Sequence, residues 1–167
     1  MTELEFISNS EEDTVRLGQA LAAVLPPNSV IALNGTLGAG KTRLVQAIAE
    51  ALEIDRHEVV SPTFVLMQEY HGQKSIYHVD AYRIASDEEF LQLGMEEYFV
   101  AGGLVFIEWA ERVAKTLPAN HLSIDIEVLS EETRQIRVYS HHQGIEPLFD
   151  SLRTRLARTS TTKLPRI

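Results

Sequence analysis

Apolar residues recur along the chain with two spacings, and these spacings predict an alternation of strands and helices. Short apolar or alternating runs, which are typical of strands, occupy residues 4–7, 30–33, 64–70, 75–80, 104–107, 121–129 and 134–139. Helical spacing of apolar residues occupies residues 11–24, 43–52, 87–93, 95–99 and 146–156. Ser10 and Ser86 precede two of these helices as capping residues, and Gly94 interrupts the helix that Ser86 begins. The chain is therefore predicted to belong to the α/β class.

The order of the elements defines the expected fold more closely. The continuous apolar run at residues 104–107 is typical of a strand that is buried on both faces of a parallel sheet. The strands at 64–70 and 75–80 are spaced as a hairpin, and the last two strands form a second antiparallel pair. We expect three layers around a mostly parallel central sheet with antiparallel additions. This domain spans residues 1–145, and residues 146–167 form a C-terminal helix and a basic tail that is disordered from about residue 160.

Composition narrows the classes of protein that fit. No cysteine occurs among the 167 residues, which excludes disulfides and thiolate zinc sites and agrees with a cytoplasmic location. The longest apolar runs are too short for a membrane span, and the N-terminus has no signal-peptide pattern. The net charge is −9, and the five basic and two acidic residues from position 146 onward leave −12 on residues 1–145. This acidic body argues against a protein that binds nucleic acid by itself.

A glycine-rich loop between the second strand and the second helix matches a phosphate-binding motif. Residues 35–42 read Gly-Thr-Leu-Gly-Ala-Gly-Lys-Thr, which fits G-x-x-x-x-G-K-[ST], and the flanking strand and helix are the context that this motif requires. Glycines let the backbone approach a phosphate, and the following helix adds its positive N-terminal end. We expect Lys41 to bridge the β- and γ-phosphates and the Thr42 hydroxyl to ligate Mg²⁺. The loop therefore predicts a nucleotide-binding protein.

Two acidic residues end apolar strands and are candidates for the metal and the catalytic water. Glu108 follows four apolar residues, and we expect it to hold Mg²⁺ directly or through water. Asp80 ends a more mixed strand and is expected to orient or activate the attacking water. Thr63, in a Ser-Pro-Thr segment, lies where a hydroxyl can sense the γ-phosphate or its metal. His78 lies in a predicted strand and is assigned an ordinary structural role.

Four sequence blocks together resemble the TsaE (YjeE) family. The blocks are Gly-Thr-Leu-Gly-Ala-Gly-Lys-Thr, Ser-Pro-Thr-Phe, His-Val-Asp-Ala-Tyr-Arg and Ile-Glu-Trp-Ala-Glu, and the resemblance covers about residues 5–140. It implies a P-loop NTPase fold that binds ATP and Mg²⁺. It also implies action with TsaB and TsaD, which transfer threonylcarbamoyl to the tRNA adenosine beside the anticodon. The protein would then reach tRNA indirectly, through the complex, and its ATP hydrolysis would drive turnover of that complex. The loop and the two strand-end acids, without an evident arginine finger in cis, predict slow ATP hydrolysis by the protein alone and faster hydrolysis in the complex.

The resemblance also assigns roles to individual residues. Lys41 and Asp80 are the implied catalytic residues, and Thr42 and Glu108 are the implied metal ligands. The phosphates are expected to contact the loop at Leu37, Gly38, Ala39, Gly40, Lys41 and Thr42.

Four further positions match the family less specifically. Glu11 and Arg134 match positions near the nucleotide base or ribose. Thr63 matches a switch-like threonine, and Trp109 matches a tryptophan with a role in partner contact or in packing.

Two positions in and after the loop depart from the family pattern. Thr36 stands where Asp is common, and its substitution bears on a partner contact or on a hydrogen bond to the metal shell. Arg43 stands where Thr or Ser is common. The motif glycines, Lys41 and Thr42 are intact, so the expectation of phosphate binding is unchanged.

Two other functions fit the same loop. A small-molecule kinase would add an arginine-rich lid and an acceptor pocket, and the body of the sequence shows no lid-like arginine cluster. A nonhydrolysing nucleotide-gated adaptor would keep the loop without productive hydrolysis. A GTPase is not favoured, because neither Asn-Lys-x-Asp nor an Asp-x-x-Gly after the loop occurs.

Overall fold

The elements of the protein follow the predicted alternation in a computed structural model that describes residues 1–62 and 66–160. The strands are β1 (Thr2–Ser8), β2 (Ser29–Asn34), β3 (Met67–His71), β4 (Ser75–Asp80), β5 (Leu104–Glu108), β6 (Leu122–Val128) and β7 (Arg134–Ser140). The helices are α1 (Glu11–Val24), α2 (Lys41–Ala51), α3 (Asp87–Gln92), α4 (Met95–Phe99) and α5 (Glu146–Ser160), and 3₁₀ segments lie at Arg56–Glu58 and Ala110–Thr116.

In the described part of the chain, seven strands form one sheet in the order β1-β7-β6-β2-β5-β4-β3. The four central strands, β6, β2, β5 and β4, pair in parallel. The outer pairs β1–β7, β7–β6 and β4–β3 are antiparallel. The predicted sheet, parallel at its centre with antiparallel additions, is therefore confirmed. Its parallel centre brings the carboxyl ends of β2, β5 and β4 to the same edge.

Apolar side chains on the two faces of the sheet enter two separate cores, which makes the fold three-layered as predicted. Alternation along β2 sends Ile31 and Leu33 to the core beneath α1, α2 and α5, and Val30 and Ala32 to the core beneath α3 and α4. All five residues of β5 are buried, as the continuous apolar run predicts. The central strands are thus held rigidly on both faces.

Helix caps form where the sequence predicts them. The Ser10 hydroxyl accepts a hydrogen bond from the Asp13 N–H at 3.2 Å and begins α1. The Ser86 hydroxyl accepts one from the Glu89 N–H, also at 3.2 Å, and begins α3. The Glu89 carboxylate reaches back to the Ala85 N–H at 2.9 Å, one residue before the position that a capping box would satisfy.

Several boundaries differ from the sequence expectation. The strand predicted at residues 64–70 is observed as Met67–His71, and the 3₁₀ segment Ala110–Thr116 was not predicted. Helix α2 begins at Lys41, two residues early, because the last two residues of the phosphate-binding motif form its first turn. Residues 56–58, predicted as an irregular connection, form a 3₁₀ turn capped by Asp55. Helix α5 extends to Ser160, the residue at which the disordered tail was expected to begin, and residues 161–167 lie outside the described ranges.

Helix α5 packs on α1 and contributes Phe149, Leu152 and Leu156 to the core that α2 also covers. The division of the chain at residue 145 stays a prediction. Among residues 1–62 and 66–160, no helix combines the length and hydropathy that a membrane crossing requires.

Candidate nucleotide-binding site

The phosphate-binding motif forms a loop at the carboxyl end of β2. It leaves the strand after Asn34 and enters α2 at Lys41, with Gly40 as the residue before the helix. Gly38 and Gly40 have φ values of +78° and +111°, and a Cβ atom on either would meet no protein atom within 4 Å. The loop therefore requires glycine for its backbone conformation and faces open space, as a cradle for phosphate must. Leu37, at the tip, is 92% exposed.

Lys41 is buried at the base of this loop between a carbonyl and an indole. Its ammonium donates a hydrogen bond to the Gly35 carbonyl at 2.7 Å. The same Nζ lies 4.8 Å from the centroid of the Trp109 ring, over its face. Trp109 follows β5 directly, has a φ of 58° and is half-buried, and its ring contacts that of Tyr82 at 5.0 Å. The lysine that is predicted to bind phosphate is thus held beside the end of β5.

The two strand-end acids lie next to each other, close to the first turn of α2. Parallel pairing sets Asp80 on β4 directly opposite Glu108 on β5, and Glu108 is in turn paired with Leu33 of β2. The Thr42 hydroxyl donates a hydrogen bond to Glu108 Oε1 at 3.3 Å. Asp80 Oδ1 accepts one from the Tyr82 N–H at 2.8 Å. Both carboxylates are almost completely buried.

His78 also belongs to this cluster, although its place in a strand predicted an ordinary structural role. It is fully buried, and its Nε2 lies 3.3 Å from Glu108 Oε1. Its Nδ1 is buried and has no hydrogen-bond partner in the described chain. A carboxylate oxygen can only accept, so this hydrogen bond requires Nε2 to be the donor. The signal that was available is the spacing of His78 and Asp80 on one strand, which places both on the same face.

A cleft of about 570 Å³ opens beside the end of the loop. This volume suits a nucleotide, since ligand pockets commonly enclose about 300–1,000 Å³. Ala39 and Gly40 form part of its wall, together with Glu11 at the start of α1 and Arg134 at the start of β7. The next residue, Lys41, does not line the cleft, and its side chain points to Trp109 at the end of β5. The loop thus joins the cleft to the acidic cluster.

Arg134 fixes the wall of this cleft through its own contacts. Its Nε donates to the Ala39 carbonyl at 3.0 Å. Its Nη1 donates to backbone carbonyls of the preceding turn, at Ser130, Glu131 and Thr133. Arg134 therefore lies against the phosphate-binding loop, as its assignment near the nucleotide requires, and also holds the loop in position.

The structure brings together all but one of the residues assigned to the site. Lys41, Thr42, Asp80 and Glu108 converge at the strand ends, and Glu11 and Arg134 line the adjoining cleft. The exception is Thr63, which lies outside the described residues. The roles assigned to these residues stay predictions.

Comparisons with known proteins agree with this arrangement. The family model described as "Threonylcarbamoyl adenosine biosynthesis protein TsaE" matches residues 8–136, which include the loop, both acids and Arg134. A tRNA threonylcarbamoyladenosine biosynthesis protein TsaE from Treponema pallidum is 42% identical over 132 residues, covering 79% of this chain and 97% of that protein. The protein of the same name from Bacillus subtilis is 37% identical over 153 residues, covering 91% and 95%. The crystal structure of Bacillus subtilis YdiB superposes with a TM-score of 0.76 at 30% identity, covering 92% of this chain and 95% of that one.

Proposed function

The chain belongs to the TsaE family of threonylcarbamoyl adenosine biosynthesis proteins, and we propose that it is a Mg²⁺-dependent ATPase that works with TsaB and TsaD. The single observation that supports hydrolysis best is the convergence of three side chains at the strand ends. Thr42 contacts Glu108 at 3.3 Å, and Asp80 lies opposite Glu108 on the neighbouring strand. These groups come from three separate elements and meet where the phosphate-binding loop ends.

The loop and the cleft supply the binding of ATP. Backbone N–H groups of the loop and the N-terminus of α2 favour the phosphates electrostatically. The Lys41 ammonium contacts the Gly35 carbonyl and the Trp109 ring. When ATP binds, phosphate oxygens would replace the Gly35 carbonyl as the acceptor of its hydrogen bond. The ribose and base would lie in the cleft between Glu11 and Arg134.

Thr42 and Glu108 fit a site for Mg²⁺. A hydroxyl and a carboxylate are hard oxygen ligands, and Mg²⁺ in phosphoryl-transfer sites usually takes one or two protein ligands and completes its shell with phosphate oxygens and water. When bound, the ion neutralises the charge that develops on the transferred phosphoryl group. His78 donates to the same oxygen of Glu108 that Thr42 contacts, which orients the carboxylate.

Asp80 is the group that we assign to the attacking water. Its carboxylate is almost completely buried, and the Tyr82 N–H holds its Oδ1 at 2.8 Å. A carboxylate fixed in this way can accept a hydrogen bond from a water molecule and turn the oxygen lone pair toward the γ-phosphorus. Hydrolysis then yields ADP and phosphate.

The distribution of charge supports an indirect role toward tRNA. Residues 1–145 carry a net −12, which disfavours direct contact of the domain body with a polyanion. Substrate recognition would therefore fall to TsaB and TsaD, and this chain would supply ATP hydrolysis that resets the complex. We accordingly expect slow turnover for the protein alone and faster turnover in the complex.

The decisive experiment measures ATP turnover and tRNA modification, with and without TsaB, TsaD and tRNA. The variants are Lys41→Ala, Asp80→Asn and Glu108→Gln, and Glu96→Gln removes an exposed acid on α4 as a matched control. We expect the first three to lose both activities and the control to keep them. Full tRNA modification with Lys41→Ala would contradict the proposal. Tight ATP binding without turnover in any mixture would favour the adaptor, and transfer of phosphate to a small molecule would favour the kinase.

A further inference from the structure

Arg43 is a second cation at the phosphate-binding loop, and it differs from Lys41 in where it points. It is the third residue of α2 and follows Thr42. Successive residues on a helix are rotated by about 100°, so these three side chains leave the helix in different directions. Lys41 contacts Trp109, and Thr42 contacts Glu108, whereas Arg43 lines the cleft together with Gly40.

The guanidinium of Arg43 has no partner within the described residues. Its Nη1 atom is buried and makes no hydrogen bond. Burying a hydrogen-bond donor of a charged group without a partner costs more free energy than a typical exposed hydrogen bond contributes. Glu11, Glu131 and Glu132 share the cleft, yet none of them forms an ion pair with Arg43 in residues 1–62 and 66–160. A bound anion in the cleft would satisfy this donor and match its charge.

Arg134, the other arginine of the cleft, shows the contrast. Its guanidinium nitrogens donate to the carbonyls of Ala39, Ser130, Glu131 and Thr133. Arg134 is thus used to hold the loop and the following turn. Arg43 is the arginine on this wall whose buried donor remains for a ligand.

We propose that Arg43 binds the phosphate of the nucleotide that lies nearest the ribose, the α-phosphate. This inference rests on the proposed function, because it assumes that the cleft holds a nucleotide. Lys41 and Thr42 are directed to the end of the site where the acids lie, so the β- and γ-phosphates belong there. Arg43 is directed to the other end, which Glu11 and Arg134 enclose. A guanidinium bound to the α-phosphate contributes equally to ATP and ADP.

Calorimetric titration of Mg-ATP, Mg-ADP and AMP tests this assignment. Charge-assisted hydrogen bonds of this kind correspond to roughly 10- to 100-fold in affinity. We therefore expect Arg43→Gln to weaken ATP and ADP binding by the same factor in this range, and to weaken AMP binding as well. Arg43→Lys, which keeps the charge but loses the planar fork, should fall between wild type and Arg43→Gln.

Arg56→Gln is the matched control. Arg56 is exposed and lines a neighbouring cleft of about 460 Å³ that Arg43 also borders, so its loss removes the same charge from the same region. We expect the control to leave all three affinities within about twofold, because an exposed charge is screened by salt. A thermal melt of each variant identifies any loss of folding. Because Arg43 is half-buried, Arg43→Lys serves as the interpretable variant if Arg43→Gln unfolds.

Two results would overturn the assignment. Unchanged ATP and ADP affinity in folded Arg43→Gln would show that the guanidinium does not bind nucleotide. Weaker ATP binding with unchanged ADP binding would place Arg43 at the γ-phosphate instead. Failure of the wild-type protein to bind ATP or ADP at all would instead contradict the proposed function, so the two failures are distinguishable.

Discussion

Replacing His78 with Leu tests whether the buried histidine positions Glu108 or only fills the core. His78 Nε2 donates to Glu108 Oε1 at 3.3 Å, and its Nδ1 is buried without a partner in the described chain. Leu removes the donated bond, which is to a charged acceptor and contributes about 1.5–3 kcal/mol. It also removes the unsatisfied Nδ1, whose burial costs about 1–3 kcal/mol. The two terms offset each other, so the free energy of unfolding should change little.

The affinity for Mg²⁺ should change more. Loss of a hydrogen bond to a metal-ligating side chain typically lowers metal affinity or activity about 10- to 100-fold. His78→Gln is the matched variant, because its amide nitrogen reaches about as far as Nε2 and can still donate to Glu108. We therefore expect His78→Leu to need about 10- to 100-fold more Mg²⁺ for half-maximal ATP turnover, and His78→Gln to remain near wild type.

The assay is a Mg²⁺ titration of ATP turnover in the assembled complex, at fixed total ATP, paired with urea unfolding of each variant. A positioning role predicts a shifted Mg²⁺ midpoint with a nearly unchanged unfolding midpoint. A His78→Leu variant that unfolds more easily but keeps the wild-type Mg²⁺ midpoint would refute the reasoning. The same holds if His78→Gln is as impaired as His78→Leu, since the donated hydrogen bond would then be irrelevant.

Three further substitutions give separable readouts. Asp80→Asn should lower turnover about 10²- to 10⁴-fold while ATP affinity stays near wild type, and a comparable loss of binding in calorimetry would contradict its role toward water. Gly40→Ala should weaken ATP binding more than it destabilises the fold, because its Cβ would enter open space that phosphate needs. Gly144→Ala, also at positive φ with open space around it, is the control that should affect stability alone. Phe149→Ala should cost about 3–5 kcal/mol in urea unfolding, since this ring of α5 is fully buried in the core, and a cost below about 1 kcal/mol would show that α5 is not part of the folded core.

The sequence predicted the features that depend on local pattern. The continuous apolar run of β5 indicated a strand buried on both faces, and the structure buries every residue of it. Glycine spacing indicated the loop, and apolar runs that end in Glu108 and Asp80 indicated the acids at the sheet edge. These features follow from burial, backbone freedom and strand direction, each of which leaves a mark within about ten residues of sequence.

Features that depend on pairing across the chain were not predictable in the same way. His78 contacts Glu108 only because β4 and β5 are neighbours in register. Its spacing from Asp80 indicates the face that the two residues share, but not the partner on the neighbouring strand. Arg134 and Arg43 are both arginines beside the loop, yet one is bound to backbone carbonyls and the other has a buried donor that no described residue satisfies. Side-chain partners of this kind depend on three-dimensional packing, which spacing along the chain does not specify.

The pairing of β4 with β5 also explains why two distant sequence blocks act as one unit. Because Asp80 lies opposite Glu108, the residues that follow each strand meet, and the rings of Tyr82 and Trp109 lie 5.0 Å apart. Arg112 lies 5.2 Å from the Tyr82 ring centroid, and Lys41 lies 4.8 Å from that of Trp109, so the four side chains form a continuous stack. Arg112 and Tyr82 are exposed at one end, and Lys41 is buried at the other. We therefore expect a contact that displaces Tyr82 or Arg112 to shift the Trp109 ring against the lysine that is predicted to hold the phosphates.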